Sequence, residues 1–335
     1  MQTTRRTFLG TVGGAAVLGM VGGAAAAAPP EAMPGAARDS MTSAGKSLFW
    51  VAALTPCDKS LKFDESAYAD MMAYFKQTGA DGVVVLGTTG EYPSFSVAER
   101  KKVAETAFKH RNGLNIIVSP GTPNLPETIE LSQHAAANGA DGLLIIPPFY
   151  YKHPPLEGLT KYFSLIFEQV AIPINLYHIP DTSGVPISIE LLHRLEKYPN
   201  LAGIKDSDDN VADYQRFVRE FPQLNMRTGT VTNLKPAVEN GMGAILMEGN
   251  LFTRQIAAVF AARRAGKSMD EPLARLDAAI KLLEPAGGYE FGAMKYALSL
   301  QMGTRQTYQR PPHADVTDQQ KARMKAALEQ MRQMG

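Results

Sequence analysis

Three stretches of this chain repeat one short piece of punctuation: Thr78-Gly79-Ala80-Asp81-Gly82, Asn138-Gly139-Ala140-Asp141-Gly142 and Asn240-Gly241-Met242-Gly243. Each follows an amphipathic stretch and leads into a nearly continuous apolar run. A glycine placed there takes the left-handed conformation that ends a helix, and an apolar run without alternation suits a strand buried on both faces. The repeating unit is therefore helix, glycine stop, buried parallel strand. Eight runs fit it: Leu48–Leu54, Gly82–Leu86, Asn115–Ser119, Gly142–Ile146, Pro173–Tyr177, Leu201–Lys205, Asn225–Thr228 and Gly243–Met247, the seventh with the faintest pattern. Their spacing is that of βα units, and eight such units predict a closed parallel (β/α)8 TIM barrel over residues 47–265. After about Gly266, Met269–Leu283, Tyr289–Met302 and Asp318–Met334 read as further helices, a C-terminal helical extension over 266–335.

Composition removes several classes of function. With 45% hydrophobic and 20% charged residues the chain is neither disordered nor a coiled coil. Its 34 basic residues against 33 acidic ones leave no footprint for nucleic acid or anionic lipid. Cys57 is the one cysteine, so no intramolecular bridge can form. No Gly-x-Gly-x-x-Gly follows the first strand, which sets aside a dinucleotide cofactor. The six histidines, at 110, 134, 153, 178, 193 and 313, are scattered without the spacing of a ligand pair, so a metal-dependent hydrolase is disfavoured and no metal is expected.

The first 28 residues read as an address. Thr4-Arg5-Arg6-Thr7-Phe8-Leu9 precedes an uncharged run from Phe8 to Ala28 that closes on five alanines. This resembles a twin-arginine signal peptide, which implies periplasmic localisation, cleavage near Ala26 to Ala28 and no stable membrane anchor afterwards. Residues 29–46, rich in Ala, Pro, Ser and Gly, read as a linker.

In a βα barrel the groups that share a site stand at the C-terminal ends of the strands. Lys205 ends Leu201-Ala202-Gly203-Ile204, a run with no other charge. A lysine stem against apolar walls loses ammonium solvation, and the neutral amine attacks carbonyls to form a Schiff base. The bland reading is a lysine reaching solvent. Thr88 and Thr89 sit between Gly87 and Gly90, in a tight turn whose N–H groups and hydroxyls suit a carboxylate; alternatively the turn only caps the next helix, with Glu91 and Ser96 as local caps. Tyr177 is placed to move a proton through its phenol, or is a half-buried aromatic with a satisfied hydroxyl. The same choice applies to Tyr150 and Tyr151. His178, next along from Tyr177, faces the other way on an alternating strand and is read as packing.

Together these elements resemble the dihydrodipicolinate synthase and N-acetylneuraminate lyase family of pyruvate-dependent class I aldolases, over Ser47 to about Pro312. The matching motifs are Gly-Thr-Thr-Gly-Glu at 87–91, Phe149-Tyr150-Tyr151, Tyr-x-x-Pro at 177–180 and Gly-Ile-Lys-Asp-Ser at 203–207, with Tyr177 and Lys205 28 positions apart. The resemblance implies that Lys205 forms the Schiff base with pyruvate or another 2-oxo acid, without a further cofactor. It implies that Tyr177 relays protons, that Thr88, Thr89 and Gly90 hold the carboxylate, and that the backbone of Ile245 faces the pyruvyl group. It also implies that Tyr151 is lent across a tight interface in a homodimer or homotetramer.

Two departures bear on substrate. Synthases of this family carry an arginine two residues after the proline of Tyr-x-x-Pro, where it binds a distal carboxylate; here that place is Thr182, which cannot make the bidentate contact. Sialic acid lyases place acidic and aromatic residues after the glycine ending run seven, whereas Gly229 is followed by Thr230-Val231-Thr232. Glu248, after run eight, is a charge near the mouth that either binds polyol hydroxyls or pairs with Arg254. The expected function is a Schiff-base lyase acting on a 2-keto-3-deoxy sugar acid or a similar hydroxylated 2-oxo acid. The alternatives are 4-hydroxy-tetrahydrodipicolinate synthase and an exported keto-acid-binding barrel without turnover.

Overall fold

A computed structural model of the protein describes residues 47–333; the proposed signal segment and linker lie outside them. Eight short strands pair in sequence order, all parallel, and the last closes on the first. They are β1 (Phe49–Ala52), β2 (Gly82–Val85), β3 (Asn115–Val118), β4 (Gly142–Ile145), β5 (Ile174–His178), β6 (Leu201–Asp206), β7 (Asn225–Thr228) and β8 (Ala244–Leu246). Each falls on a predicted run. Most are shorter than the apolar run that marked them, because the run continues into the buried turn above the barrel. At β5 and β6 the strand instead extends one residue further, through His178 and Asp206.

The repeated punctuation has a physical content in two parts. Gly79, Gly139 and Gly241 all adopt positive φ, as a helix stop requires. The aspartates that follow in the first two copies then stitch neighbouring strands at their N-terminal ends. Asp81 accepts a hydrogen bond from the backbone N–H of Phe49, and Asp141 accepts one from that of Ile116. Both carboxylates also face an arginine, Arg264 and Arg111 respectively.

The bottom of the barrel is filled by polar as well as apolar side chains. Trp50 on β1 is fully buried and donates its indole N–H to Asn115 Oδ1 at 3.0 Å. Arg227 on β7, also fully buried, lies over the Trp50 ring at 4.7 Å and donates to Asn175 Oδ1. Burial pushes this guanidinium down to about 9. These inward-facing polar groups explain why the seventh run looked faint: Asn225 and Arg227 belong to the interior of the barrel. Room for them comes from small residues. A Cβ at Gly82 would stand 2.4 Å from the Trp50 ring, and one at Gly203 would stand 2.1 Å from the Asn225 carbonyl oxygen.

Beyond the barrel, helices at Asp270–Leu283, Phe291–Met302 and Asp318–Gln333 form the expected extension. The segment between the last two runs back across the barrel mouth. Tyr308 exchanges two backbone hydrogen bonds with Cys57, and Arg310 reaches the carbonyls of Leu61 and Ser94 and the carboxylate of Glu99. Glu99 also completes a capping box with Ser96 at the start of the helix Val97–Lys109, and the Arg310 contact holds its carboxyl down at about 2.

Replacing Gly203 with alanine is expected to force β6 and β7 apart and cost about 1–3 kcal/mol, the usual range for overpacking. Urea unfolding measures it, and an unchanged midpoint would show that the two strands yield without loss.

Candidate active site

The site begins with a one-residue irregularity. Ile174 pairs with Leu201 but Asn175 pairs with Gly203, so a bulge at Ala202 shifts the register of β5 on β6. Above the bulge Leu176 meets Ile204 and Tyr177 meets Lys205. Because successive side chains on a strand alternate faces, the bulge sets the inward residues of both strands side by side. Without it, Tyr177 would stand opposite Ile204.

Lys205 and Tyr177 are buried, at 6% and 3% exposure. Lys205 Nζ donates to the phenol oxygen of Tyr177 at 3.1 Å and lies 4.3 Å from the ring centroid. Burial disfavours the phenolate, but the Lys205 charge, with the hydroxyls of Thr88 and Ser207 nearby, more than offsets it and holds Tyr177 below the ordinary tyrosine range. Gly229 makes space for the lysine stem, since a Cβ there would stand 2.8 Å from Lys205 Cε and 2.0 Å from Ser207 Oγ.

The Gly87–Glu91 turn follows β2. Leu86 and Glu91, on either side, both adopt left-handed backbone conformations at φ 60° and 54°, which are costly for residues with a side chain. The turn closes through Gly90 N–H to the Gly87 carbonyl and Glu91 N–H to the Thr88 carbonyl, each 3.0 Å; the N–H groups of Thr88 and Thr89 take no part in that closure. Thr55 donates to the Gly90 carbonyl at 2.8 Å, and a Cβ at Gly90 would crowd Leu86 and the Ala53 carbonyl. Thr89 is buried and Thr88 partly so.

Glu91 is no helix cap. Its carboxylate, fully buried, meets the ammonium of Lys295 at 2.5 Å and accepts the backbone N–H of Arg310 at 3.1 Å. Lys295 also donates to the Tyr308 carbonyl at 2.7 Å, and burial lowers its basicity against the pull of Glu91. The strained turn is thus held by the C-terminal extension. A sequence signal existed: Lys295 is the only charge within the helix Phe291–Met302.

Ile245 on β8 is fully buried and pairs with Trp50. Glu248, just beyond, is also buried, and among the described residues no ion pair joins it to Arg254. It is coupled instead to Lys205 and Asp209, and burial holds its carboxyl above the usual range. Tyr289, from the C-terminal extension, feels Glu248 and is pushed up chiefly by burial. Neither Asp209 nor Tyr289 stood out in the sequence. Two predicted residues do not converge on this centre: Thr182 is exposed on the short helix Pro180–Ser183, and Tyr151 is 71% exposed, edge to face with Tyr150 at 5.3 Å.

His178 and Asp206 face outward. His178 Nδ1 accepts the Ile187 N–H at 3.0 Å and its ring packs on Phe217, beside a hollow of about 530 Å³ that contains none of the groups above. Asp206 is 1% exposed, and one of its oxygens has no hydrogen-bond partner among the described residues. Burial raises its carboxyl to about 7, with Asp208, Asp213 and Asp209 adding to the effect against the Asp208 N–H. No three His, Cys, Asp or Glu side chains among the described residues are grouped as a metal would need, and no described helix is long and apolar enough to cross a membrane.

The sequence profile of the dihydrodipicolinate synthetase family matches residues 47–331. An uncharacterized DapA-like lyase of Chloroflexus aurantiacus is 33% identical over 267 residues, covering 78% of this chain and 88% of that protein. A 4-hydroxy-tetrahydrodipicolinate synthase of Acidiphilium cryptum is 32% identical over 289 residues, covering 83% of this chain and 96% of that protein. Among solved structures, YagE of E. coli K12 in complex with pyruvate superposes with a TM-score of 0.78 at 26% identity, covering 85% and 98% of the two chains. A catalytic lysine mutant of Ruminococcus gnavus sialic acid aldolase superposes at 0.79 and 25% identity, covering 86% and 96%.

Asp206 supplies a pH test. Its folded carboxyl titrates near 7 and its unfolded one near 3.9, so the stability linked to the neutral form is complete below about pH 4 and lost as pH rises through 7. Asp206→Asn is expected to melt above the parent at pH 8.5, with the gap narrowing towards pH 5 and closing near pH 4. Equal gaps at both pH values would show that the carboxyl ionises without penalty.

Proposed function

The chain belongs to the dihydrodipicolinate synthetase family, and from that premise we propose that it is a Schiff-base lyase making or breaking the carbon–carbon bond between pyruvate and an aldehyde. The family carries this chemistry on a lysine and takes no cofactor. The observation that carries the reading is the contact of Lys205 Nζ with the Tyr177 phenol at 3.1 Å, inside a buried pocket.

The steps follow from that contact. The 2-oxo acid lays its carboxylate on the turn of Thr88, Thr89 and Gly90, beneath Ile245. Lys205 Nζ adds to C2, and the carbonyl oxygen leaves as water with protons passed through Tyr177 and Thr88. In the resulting iminium the positive nitrogen is an electron sink. Tyr177 takes the proton of the C4 hydroxyl, the C3–C4 bond breaks, the aldehyde departs, and the electron pair rests in the enamine. Protonation at C3 and hydrolysis return pyruvate and free Lys205. A phenol held below the ordinary tyrosine range suits Tyr177 to this traffic, because its phenolate is more readily formed.

The substrate is a 2-keto-3-deoxy sugar acid or a similar hydroxylated 2-oxo acid. Thr182 supports this, as it offers a distal carboxylate no guanidinium. The second reading, 4-hydroxy-tetrahydrodipicolinate synthase, is favoured by the names of several relatives about 30% identical to this chain. The exposed Tyr150–Tyr151 pair supports assembly into a homodimer or homotetramer in which Tyr151 completes a neighbouring site. The Arg5-Arg6 segment supports export to the periplasm.

Borohydride reduction in the presence of pyruvate is expected to leave a mass adduct on Lys205 that Lys205→Ala abolishes; no adduct, or one that survives the substitution, sinks the reading. Tyr177→Phe should form the adduct but turn over roughly 10²–10⁴-fold more slowly, the usual worth of a positioned proton carrier. A coupled assay with aspartate semialdehyde separates the two substrate readings. N-terminal sequencing of the secreted chain should begin near residue 29, and an intact Met1 in the soluble fraction would argue against export.

A further inference from the structure

Glu248 stands where the helix Gly249–Arg264 begins, yet its carboxylate does not cap that helix. It is 9% exposed, and its Oε2 is buried with no hydrogen-bond partner among the described residues. An acceptor of this kind, taken from water and left unmet, is costly, and natural proteins retain one where a donor arrives from outside. Glu248 follows β8 by two residues, at the same mouth where Lys205 nears the end of β6, and the charges of Lys205 and Asp209 act on its carboxyl as its own acts on Tyr289. Glu248 therefore borders the space at the barrel mouth that it shares with the amine. That is the space left for the aldehyde half of the substrate. Apart from Lys205 itself, no cation acts on Glu248 there.

We propose that Glu248 reads the aldehyde half, accepting a hydrogen bond from one of its hydroxyls through Oε2 and rejecting aldehydes that end in a carboxylate. The inference rests on the function proposed above and adds the residue and the charge rule that choose the substrate. A hydroxyl satisfies the unmet oxygen and adds no charge. A terminal carboxylate has no proton to give that oxygen and brings a second negative charge against the buried Glu248, where like charges repel strongly. A site built to accept from a hydroxyl discriminates far better than an apolar one, because the wrong partner leaves a buried polar group unpaired.

The test compares kcat/KM for pyruvate condensing with glyceraldehyde and with succinic semialdehyde, one neutral and hydroxylated, the other ending in a carboxylate. The parent protein is expected to favour glyceraldehyde. Glu248→Gln, of the same size and without the charge, should reduce that preference about ten- to hundredfold, the range for losing a hydrogen bond to a charged group, mainly through a higher KM for glyceraldehyde and a gain with the semialdehyde. A merely structural role would lower both aldehydes equally and leave the ratio where it was. Should the glutamine variant not fold, Glu248→Thr tests the same ratio with a smaller neutral residue. A ratio that does not move in a folded variant, or a parent that prefers the semialdehyde, overturns the inference. Borohydride trapping of pyruvate on the parent separates the two failures: no adduct removes the lyase reading itself, whereas an adduct with an unmoved ratio removes only the role of Glu248.

Discussion

The chemistry of this barrel depends on one bulge. At Ala202 a single extra residue moves β6 along β5, and only above it do Tyr177 and Lys205 share a level and a face. Ser207 and Thr88 stand near the phenol, and the bare Gly229 lets the lysine stem pass. A register is a discrete quantity, so the contact is either made or missed by a whole residue. The separation of 28 positions between the two side chains is this register written in the sequence.

Beside that pair and below it, the barrel interior holds a second polar set. Trp50, Arg227, Asn115 and Asn175 form a buried polar plug, tolerable because the glycines at 82 and 203 admit it and because its donors find acceptors within it. The plug makes the lower barrel stiff, which suits a site whose reacting groups must be held within a fraction of an ångström. The strain at Leu86 and Glu91 shows the same economy at the top, where a turn with two left-handed residues is kept by a buried ion pair.

Much of this was legible in the chain alone, for identifiable reasons. Strands buried on both faces announce themselves as unbroken apolar runs, and glycine stops mark their beginnings, so the barrel and its C-terminal helices could be read. Lys205 was legible as a lone charge ending such a run. The partners supplied by distant segments were not. Lys295 and Tyr289 lie far along the chain from Glu91 and Glu248, and no local pattern links them. Glu248 looked as ready to pair with Arg254 as to face the pocket, since helix spacing cannot tell which way a first-turn side chain turns. Thr182 sits in the expected motif but on the surface, because a motif fixes position along the chain and not depth.

The tie between Glu91 and Lys295 gives the C-terminal extension a place in the timing of the enzyme's life. A ribosome that has delivered all eight strands has made Lys205 and Tyr177, but the buried carboxylate of Glu91 in the turn after β2 still lacks its cation. The far end of the chain is in this sense part of the second strand's own turn, and neither is complete without the other.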